Sequence, residues 1–319
     1  MKDISVVLLT YNSSLEKTLF SLRSIIKQKD VSFDVVVADD GSKNNNFDEI
    51  EQFFIKNNFK DYTLISHKNN IGTIKNFISA IEKVKTNYFK DFGQGDAFFD
   101  EYSLKKIYDA CIKYEPTILF TDYVCFNKKS GLFNVFKNYR YPQNTDIYTK
   151  GDLDRIKIRQ LAYDDIILGA SFVYKTDKSL DYLHMIENTV KYAEDNTVRL
   201  MALYREKIIY LPEKTIMYES GEGISTSNNS EFEELLDLDW NNTNDLILDY
   251  CRKNNNKSNN QIISHIEYER NSEHSFFDKV GYYIKNKGFL KYRLLLENIP
   301  KKTGDQYDKK FMENCLKND

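Results

Sequence analysis

With 319 residues the chain is long enough to bury a sizeable core, as one large domain or two of ordinary size. A hydrophobic fraction of 41% with 14% aromatic residues, mostly Tyr and Phe, excludes a disordered polypeptide, because such side chains bury area efficiently. The 45 basic and 48 acidic residues leave a net charge of -3, so there is no overall electrostatic pull toward nucleic acid, and none is expected as a partner.

The opening Met1-Lys2-Asp3-Ile4-Ser5-Val6-Val7 has no signal-peptide architecture, and no run reaches the roughly 18 to 20 apolar residues that span a bilayer, so a cytoplasmic location is expected. Four scattered cysteines (Cys111, Cys125, Cys251, Cys315) show neither metal spacing nor a disulfide pattern and read as reduced, structural thiols.

Ile4 to Thr10 is a nearly continuous apolar run, followed by the turn Tyr11-Asn12-Ser13-Ser14 and then Leu15, Leu19, Leu22, Ile25 and Ile26 at helical spacing. The pattern recurs: strand Val31 to Ala38, loop Asp39-Asp40-Gly41-Ser42, helix through Ile50, Phe53 and Phe54. It recurs again with Tyr62 to Ser66 and a helix from Gly72 to Val84. A fourth strand, Tyr88 to Phe92, runs into Gly93-Gln94-Gly95-Asp96. Short β-branched runs alternating with helices imply βαβ units, hence an α/β fold with buried parallel strands. In such sheets ligands sit outside the carboxyl ends of the strands, and the loops found there are rich in Asp and Asn.

Past Pro116 the rhythm loosens. A strand is expected at Thr117 to Asp122, then an irregular stretch, then an apolar run at Ile166 to Tyr174. Helices follow at Leu180 to Val190 and Asp195 to Tyr204, and short strands at Ile208 to Leu211 and Thr215 to Tyr218. The polar segment Ser225 to Ser230 reads as a boundary between a catalytic domain, residues 1–226, and a mainly helical extension, residues 227–319. Within the extension, the low-complexity segment Lys253 to Asn260 reads as a loop or linker.

Phosphate-cradling GxGxxG and GxxxxGK[ST] signatures are absent, and the four histidines form no zinc-binding spacing. What remains is a series of carboxylates and amides at strand ends. Each alone is an ordinary turn or helix cap. Their order, however, resembles the family 2 glycosyltransferases with a GT-A-type fold, over about residues 3 to 226. The matching elements are Thr10-Tyr11-Asn12, Asp39-Asp40-Gly41-Ser42, the Asn-x-Gly-x-x-x-Asn of Asn70, Gly72 and Asn76, the Gly93 to Asp96 segment, Gly169-Ala170-Ser171 and Glu194-Asp195.

The resemblance implies a mostly parallel nucleotide-binding sheet flanked by helices, a nucleoside-diphosphate sugar donor, a glycan or lipid-linked acceptor, and surface polysaccharide assembly as the setting. It places Asp39 on the nucleotide base, an acceptor-only group suited to an imide or ribose donor. Thr10 and Asn12 stand beside it, Asp40 orients the loop, and Asn70 and Asn76 brace the pocket. Gly95, Gly169, Ala170 and Glu194 line the substrate site, and Asp195 aligns with the family's catalytic base.

The metal motif departs from the pattern. Glycines stand at Gly93 and Gly95 where the family has carboxylates, so a divalent cation, Mn or Mg, would depend on Asp96, with diphosphate and water completing its shell. Two other function classes fit parts of the pattern: a degenerate nucleotide-sugar-binding protein, and a sugar-phosphate nucleotidyltransferase, whose Gly-rich basic first loop is missing here. Gly221 to Thr226 corresponds to a loop that closes over the substrates in the family. The basic, aromatic segment 279–302 suits either an anionic membrane surface or packing on the catalytic domain.

Overall fold

The computed structural model describes residues 2–129, 132–221, 230–271, 273–298 and 300–317. In chain order the elements are β1 (Ile4–Thr10), α1 (Leu15–Ile26), β2 (Phe33–Asp39), α2 (Phe47–Lys56), β3 (Tyr62–Ser66), α3 (Thr73–Ile81), β4 (Tyr88–Gly93), β5 (Ala97–Phe98), α4 (Ser103–Tyr114), β6 (Ile118–Lys129) and β7 (Leu132–Phe136). They continue with α5 (Asp146–Thr149), α6 (Leu153–Ala162), β8 (Phe172–Lys175), α7 (Thr176–Ile186), α8 (Thr197–Leu203), β9 (Ile208–Glu219), α9 (Ser230–Lys253), α10 (Lys257–Arg270), α11 (Phe276–Lys285), α12 (Lys287–Asn298) and α13 (Lys309–Leu316).

One mostly parallel sheet runs β3-β2-β1-β4-β8-β6-β9-β5, with β7 paired to β6. The first four strands in that order are parallel, and β8 joins antiparallel to both β4 and β6. Alternate side chains feed two cores. Ile4, Val6 and Leu8 of β1, with Val35 and Val37 of β2, pack beneath α1, α2 and α4. Val7, Val36 and Ala38 face the opposite layer of α3, α7 and α8. A strand buried on both faces has no polar side to show, which explains the unbroken apolar runs.

Residues 230–317 are helical in most of their length and return to both faces. Ile247, Leu248 and Cys251 of α9 and Ile262 and Ile266 of α10 join the α8 core, while Phe311, Met312 and Cys315 of α13 join the α1 core. No helix among the described residues is long and apolar enough to cross a membrane.

Several expectations change in the second half. The irregular stretch after Asp122 is a continuation of β6 to Lys129, a hairpin with β7, and helix α6, opened by Asp152 accepting the Arg155 amide. The two strands expected between Ile208 and Tyr218 are one, β9, with register shifts opposite Asp122. The apolar run from Ile166 becomes strand only at Phe172, after a tight turn over Gly169–Ser171. The linker expected at Lys253 to Asn260 shrinks to residues 254–256. Asn256 caps α10 through the Asn259 amide and Asn259 bonds back to the Asn254 carbonyl, so the Asn-rich sequence makes a helix start. The expected domain boundary falls on 225–229, outside the described residues, and on Ser230, the first residue of α9.

Candidate active site

The carboxyl ends of β1 and β2 are tied into one knot. Asp39, 1% exposed, accepts the Thr10 hydroxyl at 3.1 Å, the Ser42 amide at 2.8 Å and the Ser42 hydroxyl at 2.5 Å. Asn12 takes a left-handed φ of 46°, gives its amide to Ser42 Oγ at 2.7 Å, and accepts the Lys43 amide at 3.3 Å. Asn tolerates that backbone where most residues do not.

Asp40 reaches the other way and accepts the Ile71 amide at 2.7 Å. Burial pushes its carboxyl above the ordinary range while the Ile71 and Gly72 amides pull it back. Gly41, at φ 74°, lies so close to the backbone of Asn69 that a Cβ would stand 2.2 Å from its carbonyl carbon, so this turn admits only glycine. Asn70 is half-buried at the rim. Asn76 sits deeper, its amide on the Ala38 carbonyl at 3.2 Å and its Oδ1 buried without a partner.

After β4, Gly95 at φ 91° leaves room that a side chain would fill, since its Cβ would fall 2.1 Å from Glu219 Oε2. Asp96 Oδ1 accepts the Glu219 amide at 2.8 Å, and Glu219 pairs with Lys17 at 3.0 Å. Burial, reinforced by Glu219 and Asp91, raises the Asp96 carboxyl to about 8. No cluster of three or more metal-ligating side chains exists among the described residues. The described residues therefore form no all-protein cage, whereas a cation sharing its shell with diphosphate and water requires only one or two carboxylates, and Asp96 Oδ2 takes no hydrogen bond among the described residues.

Glu194 and Asp195 form a tight turn opening α8. Asp195 is open to solvent within a cleft walled by Gln160, Asp164, Arg199 and Trp240. Surrounding protein raises its carboxyl above the ordinary aspartate value, and the Asn196 amide and Arg199 pull against that. Glu194 is driven well up by burial and by the charges of Asp195 and Asp91. The Gly169 Cβ position is 3.7 Å from Asp195 Oδ2, an ordinary contact. Ala170 offers its carbonyl to Lys90 Nζ at 2.7 Å.

Five residues that sequence reasoning missed build this side. Lys90 and Asp91 are a charged pair in an apolar strand, an anomaly that was visible. Burial lowers the Lys90 ammonium to about 8 and raises Asp91 to about 6, with Asp195 adding to the latter. Asp239 of α9 accepts three consecutive amides, Lys191 at 2.9 Å, Tyr192 at 2.7 Å and Ala193 at 3.1 Å, and so clamps the segment leading into Glu194. Thr243 accepts from Asn196 at 3.2 Å, and Asn244 accepts from Arg199 at 2.6 Å. No sequence signal ties a helix near residue 240 to the turn at 195.

A sheet whose first strands are parallel, with carboxylates and amides gathered at their carboxyl ends, is an arrangement that binds ligands at those ends. The glycosyl transferase family 2 model matches residues 5–209, and the chain belongs to that family and is a glycosyltransferase. No curated protein matches the chain. Among solved structures, S. aureus TarS 1-349 in complex with UDP-GlcNAc is 19% identical with a TM-score of 0.52, covering 91% of this chain and 81% of that one. The same fragment in complex with UDP is 18% identical with a TM-score of 0.50, covering 83% and 70%. At such identity the likeness is one of fold.

Proposed function

We propose that the protein is an inverting transferase that moves a sugar from a nucleoside-diphosphate donor to a hydroxyl of a glycan or lipid-linked acceptor, in surface polysaccharide assembly. The observation that carries this reading is that the Thr10–Asp39–Ser42 knot closes the carboxyl ends of β1 and β2, while the charge of the solvent-open Asp195 reaches Asp91 of β4, the strand beside β1. Among the described residues Asp39 Oδ2 accepts only the Ser42 amide, and it retains capacity for an imide or ribose donor. The UDP and UDP-GlcNAc complexes of TarS make uracil the first base to test. Asp195 takes the proton of the acceptor hydroxyl, that oxygen attacks the anomeric carbon, and the nucleoside diphosphate departs with inversion. A divalent cation, where bound, neutralises leaving-group charge, and Asp96 is the residue that would hold it.

Residues 1–226 would carry this chemistry, and within the 227–319 extension α9 braces the turn that bears Asp195. Peripheral membrane contact belongs to the same proposal. Tyr282, Phe289 and Tyr292 of the 279–302 segment turn inward, but Phe276 (74% exposed), Phe277 (82%) and Ile284 face outward beside Lys279 and Lys285. That suits an anionic bilayer surface.

Thermal denaturation with UDP, UDP-GlcNAc and other nucleoside diphosphates, with and without manganese, tests the donor reading. A ligand at a hundred times its dissociation constant stabilises by about 2.7 kcal/mol. Absence of any nucleotide-dependent shift, together with no donor hydrolysis, rejects the proposal.

A further inference from the structure

The cleft beside Asp195 contains a cation that the proposed transfer does not use. Arg199 on α8 is 4% exposed. Its Nη2 donates to Asn244 Oδ1 at 2.6 Å, and its guanidinium carbon lies 3.6 Å from the Trp240 ring centroid. Nε and Nη1 are buried with no hydrogen-bond partner among the described residues. A guanidinium donates but never accepts and stays charged in proteins, so these N–H groups cannot be satisfied by a change of protonation. Leaving charged donors unmade in a buried place is costly, and the sequence could have avoided that cost with an apolar side chain stacked on Trp240.

The neighbouring carboxylates do not relieve it. Asp164, whose charge is felt at Arg199, accepts from His265 Nε2 on its Oδ2 at 2.8 Å. Asp195, also felt there, remains open to the cleft. Both Arg199 and Trp240 line that cleft, together with Asp195 and Gln160.

We propose that Arg199, held flat on Trp240 and anchored by Asn244, is a subsite for an oxyanion, a phosphate or carboxylate, carried by the acceptor near the hydroxyl that is glycosylated. A planar guanidinium with unpaired donors matches such a group in geometry as well as charge. The site lies beside Asp195, on α8 and α9, whereas the strand-end loops proposed for the donor belong to β1, β2 and β4 and do not line this cleft. The anion site follows from the geometry alone. Its assignment to the acceptor rests on the proposed glycosyl transfer.

Trp240 is the only tryptophan in the chain, so its emission reads the ring beneath Arg199 directly. The experiment titrates the full-length protein with inorganic phosphate, and separately with acetate, at constant ionic strength and with UDP present so that a donor diphosphate site is filled. The expected result is a saturable change in Trp240 emission, lost in Arg199→Gln, weakened about tenfold in Arg199→Lys, and kept in Asp195→Asn. A response to phosphate alone assigns a phosphate-bearing acceptor, and a response to acetate a carboxylate-bearing one. UDP binding by each variant, read as thermal stabilisation, shows that it is folded. If Arg199→Gln fails that check, Arg199→Lys decides. No saturable change in the parent, or unchanged affinity in the folded variants, overturns the subsite. Failure of UDP to bind the parent counts against the donor reading instead and leaves the emission titration to stand by itself.

Discussion

The two parts of the proposed site are built in opposite ways. In the part proposed for the donor, Thr10, Asn12, Asp39 and Ser42 are joined by hydrogen bonds between loops of adjacent parallel strands, and Asp40 ties in the next turn at Ile71. In the part proposed for the acceptor, Asp195 stands on a turn whose support comes from α9, through Asp239, Thr243 and Asn244. Loops made by successive βαβ units are local in sequence. A turn propped from behind by a helix of the C-terminal region is not, and it is the more easily disturbed without touching those loops.

That contrast is sharpest at Asp195. Asp195→Asn keeps the volume but cannot take a proton, and turnover should fall by about 10² to 10⁴, roughly 3 to 5 kcal/mol of barrier, with donor binding almost unchanged. Steady-state transfer and UDP titration on the same variant check it. If Glu194→Gln abolishes transfer and Asp195→Asn does not, the base is the neighbouring residue. A general base works only when deprotonated, so the rate should be lost as pH falls through the Asp195 pKa. Because that pKa is raised, the acid limb should lie above the ordinary aspartate value of about 3.9. A rate independent of pH down to that value contradicts the assignment.

Asp239→Ala comes next. It strands three backbone amides, and should cost about 3 kcal/mol of stability and lower transfer by loosening the turn before Glu194, while UDP affinity holds. Denaturant unfolding and kcat measure the two effects. Loss of UDP affinity with transfer retained would reverse the comparison between the two parts.

In the part proposed for the donor, Asp96→Asn should weaken nucleoside diphosphate binding about tenfold in manganese and scarcely at all in a chelator, because its charge acts through the ion. Equal affinity of parent and variant across a manganese titration would remove Asp96 from the site. The smallest effect belongs to the outer face of α11. Phe277→Ser should change stability by less than about 0.5 kcal/mol and leave transfer to a soluble acceptor intact, while reducing co-sedimentation with anionic vesicles. Vesicle binding that ignores both the substitution and the lipid charge would end the membrane proposal.

How far the sequence could be read follows the same division. The bounds of β1 and β3 fall where the runs Ile4 to Thr10 and Tyr62 to Ser66 begin and end: β1 is buried on both faces and almost unbroken in pattern, and β3, a half-exposed edge strand, is marked by its aromatic and β-branched residues between Asp61 and His67. The second half was harder. β6 runs on into Asn127, Lys128 and Lys129, residues that look like a loop, and Lys128 sits over the Phe20 ring at 3.7 Å. Glu219 was unreadable as a neighbour of Asp96, since the pairing of β5 with β9 that brings them together involves two residues of β5.

The α/β order, the strand-end loops and the family resemblance were determined by local pattern: period-two and period-helical burial, and turn residues whose backbone demands are short-range. The tertiary structure alone decided that Asp239 clamps the Lys191 to Ala193 segment, that Arg199 lies desolvated on Trp240, and that Tyr282, Phe289 and Tyr292 turn inward while Phe276 and Phe277 face outward. Those facts depend on contacts between residues some forty or more positions apart, made when α8 and α9 bury a common apolar core. No local periodicity encodes which helix will meet which turn.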